Sequence, residues 1–204
     1  MYGVEEFEDW AIDYESDVAR WEAAGGYPFG GRTQVMDLVR ELARPEAGAK
    51  VLDLGCGPGI LLKELVDAGC EVYGVDSARQ MLALAEMRVP TAHLNLADLR
   101  DEIPTEWGSG FRAIISTYAI HHIPDAEKAE LLGRLLCLLE PGGAVLIGDV
   151  AFATRADLLA AREVAGEDWD DEEFYCVADE LAQVLPGVTF HKVTDWSGVV
   201  EVRA

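Results

Sequence analysis

VLDLGCGPG, residues 51–59, sets three glycines two apart behind an apolar run that holds one acid. KVLDL reads as a short buried strand. ILLKELVDAG reads as the helix after the loop, with Leu61, Leu62, Leu65 and Val66 on one side and Gly69 at its end. In a parallel sheet, a bare loop between strand and helix puts a ligand site beyond the carboxyl end of the strand. Glycine lets the main chain come close to a ligand at angles a side chain forbids. The following helix presents free N–H groups at its start.

The pattern continues outward from that loop. EVYGV, TAHLNL, AIIST and AVLIGDV read as strands. Between them SARQMLALAEM, opened by a capping-box pair Ser77 and Gln80, and a segment from Asp125 through Leu139 read as helices, with EPGG as the turn before AVLIGDV. RADLLAAREVA and a segment ending near Leu185 are further helices. VTFHKV and GVVEVRA are late strands, with Gly198 hinting at a hairpin. Alternating strands and helices with short connections predict an α/β fold, a doubly wound and mostly parallel sheet covered on both faces. Upstream, EEFEDWAIDYESDVARWE and TQVMDLVRELA have one-faced helical spacing around the turn-rich GGYPFGG. The chain therefore reads as a single domain over 1–204, with a helical cap or lid at 1–45 and the core at 46–204.

The residues around the loop narrow the ligand. A dinucleotide loop of the form Gly-x-Gly-x-x-Gly needs its third glycine at position 60, where this chain has Ile60. Asp76 ends the second strand seventeen residues after Gly59 and can accept both hydrogen bonds of a ribose diol. Asp53 lies two residues before the loop. An acid there opposes a pyrophosphate and suits an amino group. A nucleoside with a free ribose diol and a cationic end meets these conditions, and S-adenosyl-L-methionine is such a molecule.

In order and spacing, VLDLGCGPG, VYGVD, NLADLRD, AIISTYAIHHI and LEPGGAVLI resemble the class I S-adenosylmethionine-dependent methyltransferases over roughly residues 30–150. FEDWAIDYESDV is similar to the N-terminal segment of small-molecule methyltransferases, including a type from Bacillus-like bacteria. The resemblance implies a Rossmann-like sheet of seven strands in the order 3-2-1-4-5-7-6, with the seventh antiparallel. It implies that Gly55, Cys56, Gly57 and Gly59 flank the cofactor, Asp53 lies near its amino group and Asp76 holds the ribose. Ser77 would sit beside the adenine, Asp98 and Leu99 would bond the base, and Thr117 would lie near the methionine moiety.

Methyl transfer from a sulfonium is an in-line displacement, so the protein must align the groups and remove a proton where the nucleophile carries one. Candidates for that work follow the fourth strand: Tyr118, His121 and His122. His121 is the better placed of the pair to face a substrate, whereas His122, His93 and His191 fit structural roles. Trp10, Tyr14, Tyr27 and Asp149 are candidates for the acceptor pocket; many rings of such a lid belong to the core.

Composition bounds the partners. The 204 residues carry 38 acids against 16 Lys and Arg, a formal charge of -22, which repels nucleic acid and anionic lipid. No apolar run has membrane-spanning length, and the acidic start does not read as a targeting peptide. A cytoplasmic protein, a monomer or homodimer acting on a small-molecule acceptor, is expected. Cys56, Cys70, Cys137 and Cys176 are not paired at ligand spacing with one another or with His, so neither a metal site nor a disulfide scaffold is expected. Three other readings stay open at this point. They are S-adenosylmethionine binding without catalysis, a protein methyltransferase, and a nicotinamide-dependent oxidoreductase, against which Ile60 counts.

Overall fold

The computed structural model describes residues 14–203. Two helices come first, α1 (Tyr14–Ala24) and α2 (Arg32–Ala43). Then follow β1 (Lys50–Leu54), α3 (Ile60–Asp67), β2 (Glu71–Asp76), α4 (Arg79–Arg88), β3 (His93–Leu96) and β4 (Phe111–Thr117). After a short 3-10 turn (Ile120–His122) come α5 (Asp125–Leu136), β5 (Leu139–Phe152) and α6 (Arg155–Ala165). The chain closes with β6 (Cys176–Val177), α7 (Ala178–Leu181), β7 (Val188–Lys192) and β8 (Ser197–Val202).

The sheet order is β3-β2-β1-β4-β5-β8-β7, and the two-residue β6 pairs in parallel with the end of β5. β8 is antiparallel to β5 and β7, while β1 to β5 pair in parallel. This is the expected order, with β7 and β8 standing as its sixth and seventh strands and β6 as an addition. Side chains alternate between two apolar layers, as strands with two buried faces require. Val51, Ile115, Leu146 and Val199 pack with Val35 and Val39 of α2 and Leu62 and Leu65 of α3. Leu52, Ile114, Ile147 and Val200 pack with Leu131, Leu132 and Leu135 of α5 and Leu181 of α7. Each fully buried Leu or Ile contributes about 1.5–3 kcal/mol. This two-sided core holds the carboxyl ends of β1 and β4 rigidly side by side, at the point where the winding reverses.

Four details depart from the sequence reading. Ser77 does not cap α4; the helix starts at Arg79 after Ala78, with no side-chain cap. Asp76 Oδ1 instead accepts the Ala78 N–H at 2.9 Å and delays the helix. α5 ends at Leu136 rather than Leu139, because Leu139 already pairs with Phe111 in β5. EPGG is therefore an irregular stretch inside β5, where the register shifts between Phe111 and Ala113, and not a turn ahead of it. The helix expected to reach Leu185 ends at Leu181 and runs out in turns. The part of the first helix before Tyr14 lies outside the described residues, and among the described residues no helix is long and apolar enough to cross a membrane.

Candidate active site

Asp53 interrupts an apolar strand. Alternation turns it toward the layer of α2 and α3, where an aliphatic residue would otherwise stand, and it is buried between Leu52 and Leu54. Its Oδ1 finds no hydrogen-bond partner among the described residues. Burial, with Asp76 nearby as a second cause, pushes its pKa up to about 8. A buried carboxylate oxygen without a partner is costly, and a cationic ligand group relieves the cost.

The glycines differ in what keeps them bare. A Cβ on Gly55 would stand 2.4 Å from the Ala119 Cβ, so this glycine makes room for the loop after β4. Gly59 precedes α3 and lies against Ala85 of α4. Gly57 has φ +51° and open space where its Cβ would be. Of the three only Gly57 has open space at its Cβ position, so a side chain there would enter the cleft that Gly55 also lines. That cleft is lined by Asp53, Gly57 and Thr117 together with Arg32 and Met36 of α2. The Gly57 N–H donates to Asp76 Oδ2 at 2.8 Å. Asp76 thus ties the glycine loop to the start of α4 with its two oxygens. Cys56 is buried inside the loop and burial raises its thiol well above the ordinary range, which makes it a filler and not a nucleophile.

Farther along the carboxyl edge, Leu99 packs on the core and its methyls lie 3.7 and 3.8 Å from the place of a Gly55 Cβ. Ser77 sits in the bend after β2. Asp98 is in a bidentate pair with Arg100, which donates from Nε to Oδ1 and from Nη2 to Oδ2, both at 2.8 Å. Arg100 also holds its pKa down. An adenine amino group would have to share that carboxylate with Arg100.

A second cluster occupies the loop after β4. Asp149 follows Gly148, the register partner of Thr117, so both clusters stand on the same edge of the sheet. His121 donates its Nδ1–H to Asp149 Oδ1 at 2.7 Å, and Asp149 Oδ1 also accepts the Val150 N–H at 2.7 Å. Its Nε2 lies 3.1 Å from Glu173 Oε2, and His122 Nδ1 lies 3.4 Å from Glu173 Oε1. Burial pulls His121 down, but Asp149 and Glu173 outweigh it and the net shift is upward. Burial and the charge on His121 push His122 down to about 4. Burial raises Glu173 to about 7, against the opposing pull of His121. Tyr118 has φ +51°, a strained angle for a side-chain-bearing residue. Its ring packs on Phe29 with centroids 5.5 Å apart, and Phe29 stacks on Trp21 at 5.5 Å.

The expected pocket residues divide. Asp149 is buried behind His121 and acts on it instead of lining a pocket. Tyr27 stacks on Trp169 at 5.1 Å, and its hydroxyl bonds Tyr175 and accepts the Asp170 N–H. It belongs to an aromatic cluster with Trp196 beside α6. Trp10 and the side chain of Tyr14 lie outside the described residues. His93 stacks on Tyr73, and His191 pairs with Glu201 across β7 and β8, as structural histidines do.

Three residues escaped the sequence reading. Glu173 was one acid among six in EDWDDEE. Arg32 opens α2 and gave no signal of its own. Lys128 is the one with a visible sign, a cation on the apolar face of α5. It is 1% exposed, and its Nζ donates to the Phe174 carbonyl.

A doubly wound sheet with a glycine loop at its switch point, beside a buried acid unpaired among the described residues, is an architecture suited to nucleoside cofactors. The model of a methyltransferase domain matches residues 51–143. An uncharacterized methyltransferase of Anoxybacillus flavithermus is 35% identical over 152 residues, 73% of this chain and 68% of the relative. One of Geobacillus kaustophilus is 32% identical over 186 residues, 88% and 84% of the two chains. The fold is shared with the structure of a DhpI-SAH complex (TM-score 0.70, 18% identity, 98% of this chain and 94% of that one). It is also shared with magnesium protoporphyrin IX methyltransferase from Synechocystis PCC 6803 with bound SAH (TM-score 0.68, 21% identity, 97% and 98%). The chain belongs to the class I S-adenosylmethionine-dependent methyltransferases.

Proposed function

We propose that the chain, acting as one domain, transfers the methyl group of S-adenosylmethionine to a small-molecule acceptor and releases S-adenosylhomocysteine. The observation that carries this reading is the buried, partnerless Asp53 oxygen beside the open face of Gly57. The residues fit the cofactor. Asp53 and Arg32 line one cleft and offer opposite charges to the ammonium and carboxylate of an amino acid. Asp76 would hold the ribose diol, with Ser77, Leu99 and Asp98 toward the base and Thr117 toward the sulfur. S-adenosylmethionine supplies, when bound, a methyl group already activated on a sulfonium.

The rest falls to this chain. Tyr118, Phe29 and Trp21 form an apolar wall that would exclude water above the sheet edge and favour dispersal of the sulfonium charge. His121, held by Asp149 at Nδ1, turns Nε2 toward Glu173 beyond the strand end. Nε2 of His121 and the Glu173 carboxylate are the groups able to take a proton from the acceptor. Support for a small acceptor comes from neighbours of like fold, one solved as a DhpI-SAM-HEP complex and another acting on magnesium protoporphyrin IX. The acidic charge speaks against nucleic acid.

Calorimetric titration with S-adenosylhomocysteine, with NAD alongside, tests the cofactor seat. Saturable binding of the first alone is expected; binding of NAD alone sinks the reading. Release of S-adenosylhomocysteine is then followed with a panel of small hydroxyl, amine and thiol acceptors and with basic peptides. Turnover with peptides only would replace the small-molecule reading.

A further inference from the structure

His121, His122 and Glu173 bring three metal-binding atoms within 4.8 Å of one another. Their arrangement poses an electrostatic problem. His121 gives its Nδ1–H to Asp149, so in the neutral ring Nε2 carries a lone pair. That lone pair lies 3.1 Å from Glu173 Oε2, which is also an acceptor. Glu173 is only 8% exposed, and its Oε2 has no hydrogen-bond partner among the described residues. A proton on Nε2 is therefore not directed at that oxygen. On the other side His122 Nδ1 stands 3.4 Å from Glu173 Oε1. Atoms sharing one ion through bonds of about 2.1 Å lie about 3.0–3.4 Å apart at angles between 90° and the tetrahedral value. The two histidine-to-Glu173 spacings fall in that range, each to a different carboxylate oxygen, and drawing all three atoms onto one ion needs only a small closing of the cluster from its 4.8 Å limit.

The cluster is also built in advance. The Phe174 N–H donates to the His121 carbonyl at 2.8 Å, which fastens the Glu173 segment to the histidine turn. The buried Lys128 anchors the Phe174 carbonyl from α5. Asp149 orients His121 from behind, the arrangement in which a carboxylate fixes the tautomer of a metal-bound imidazole.

We propose that His121 Nε2, His122 Nδ1 and the Glu173 carboxylate form a site for one first-row divalent transition ion, with Asp149 as a positioning residue. Two imidazoles and one carboxylate suit zinc, cobalt, iron or manganese and leave a coordination position open. An oxygen of the acceptor can take that position, where the ion lowers its pKa and solvent takes the proton; with an ion bound, His121 and Glu173 act as ligands in place of bases. This use rests on the methyl-transfer reading; the binding of the ion does not.

The test uses the full chain, stripped with a chelator and titrated with Co2+ in high salt, followed by visible absorption and competition with Zn2+. One equivalent of Co2+ should give a ligand-field band that one equivalent of Zn2+ removes. Glu173→Gln should abolish the band. Asp149→Asn should keep it but weaken affinity by about 10–100-fold. Glu167→Gln, in the same acidic stretch but exposed, should change nothing. Circular dichroism checks each variant, and His122→Gln takes the place of Glu173→Gln if the latter does not fold. Absence of a band with a folded protein, or a band of unchanged affinity in Glu173→Gln and His122→Gln, overturns the proposal. The second result would put the ion on the acidic surface. S-adenosylhomocysteine binding, measured separately, stands or falls by itself.

Discussion

A single missing side chain distinguishes Gly57 from the glycines beside it. Gly55 and Gly59 are bare because other parts of the chain press on them, and Gly57 is bare toward open space. Gly57→Val should therefore fold at a cost of roughly 1–2 kcal/mol for its left-handed backbone. It should lose S-adenosylhomocysteine affinity by at least about 100-fold, or about 2.7 kcal/mol, since the branched side chain fills the cradle. Calorimetry beside a thermal melt separates the two effects; undiminished binding would show that the loop is only a turn. Asp53 gives a prediction in pH. Its folded pKa is raised to about 8 by burial and by Asp76. The folded state then keeps a proton that the unfolded state loses above about pH 4, so its share of stability declines from about pH 4 to 8. Asp53→Asn should match the parent near pH 4 and exceed it by on the order of 1–3 kcal/mol at pH 8. Urea titrations at both pH values check this. A cationic ligand group reverses the preference, so S-adenosylhomocysteine binding at pH 7 should release close to one proton, read from calorimetry in buffers of different ionisation enthalpy.

At the scale of elements, two sequences of capping-box type make an instructive pair. Ser77 and Gln80 have the spacing, but Asp76 takes the first free N–H and the box does not form. Thr154 and Asp157 do form one: Thr154 Oγ1 accepts the Asp157 N–H, and Asp157 Oδ2 accepts the Thr154 N–H. Thr154→Ala should cost about 1 kcal/mol of stability, whereas Ser77→Ala should leave stability within about 0.5 kcal/mol. Denaturant midpoints of the two variants decide the matter, and equal losses would contradict it. The failure at Ser77 has a functional side. Asp76 orders the glycine loop and the start of α4 at once, so under the proposed function the cleft is preformed before a ribose would enter it. A pairwise pattern of residues could not reveal this, because the competitor is fixed by the position of β2 beside β1.

Across the whole molecule, charge is strongly unbalanced. With -22 formal charges on 204 residues, self-repulsion opposes the compact state. Salt shortens the range of that repulsion, from about 14 Å at 0.05 M to about 3 Å at 1 M. Raising KCl over that interval should stabilise the protein by about 1–2 kcal/mol and raise Tm by about 2–8 °C. A flat or falling Tm would mean that the exposed pairs, such as Arg100 with Asp98 and Arg155 with Glu180, already neutralise the field.

The division between sequence and structure follows the range of the forces involved. Element order, the doubly wound class and the glycine loop were legible in VLDLGCGPG and its neighbours, because hydrophobic period and glycine backbone freedom act within a few residues. So were Asp53, Asp76 and Thr117, which strand ends carry to one edge by topology alone. Other features were decided only when distant segments met. Ala119 distinguishes Gly55 from Gly57 across the β1–β4 switch point. Arg32 reaches the cleft because α2 lies on the same layer as Asp53. Glu173 acquires its partners only because Phe174 is stitched to His121 across 53 residues of chain. Burial and charge act through space, so the residues they set apart stay indistinguishable from their neighbours until the chain is folded.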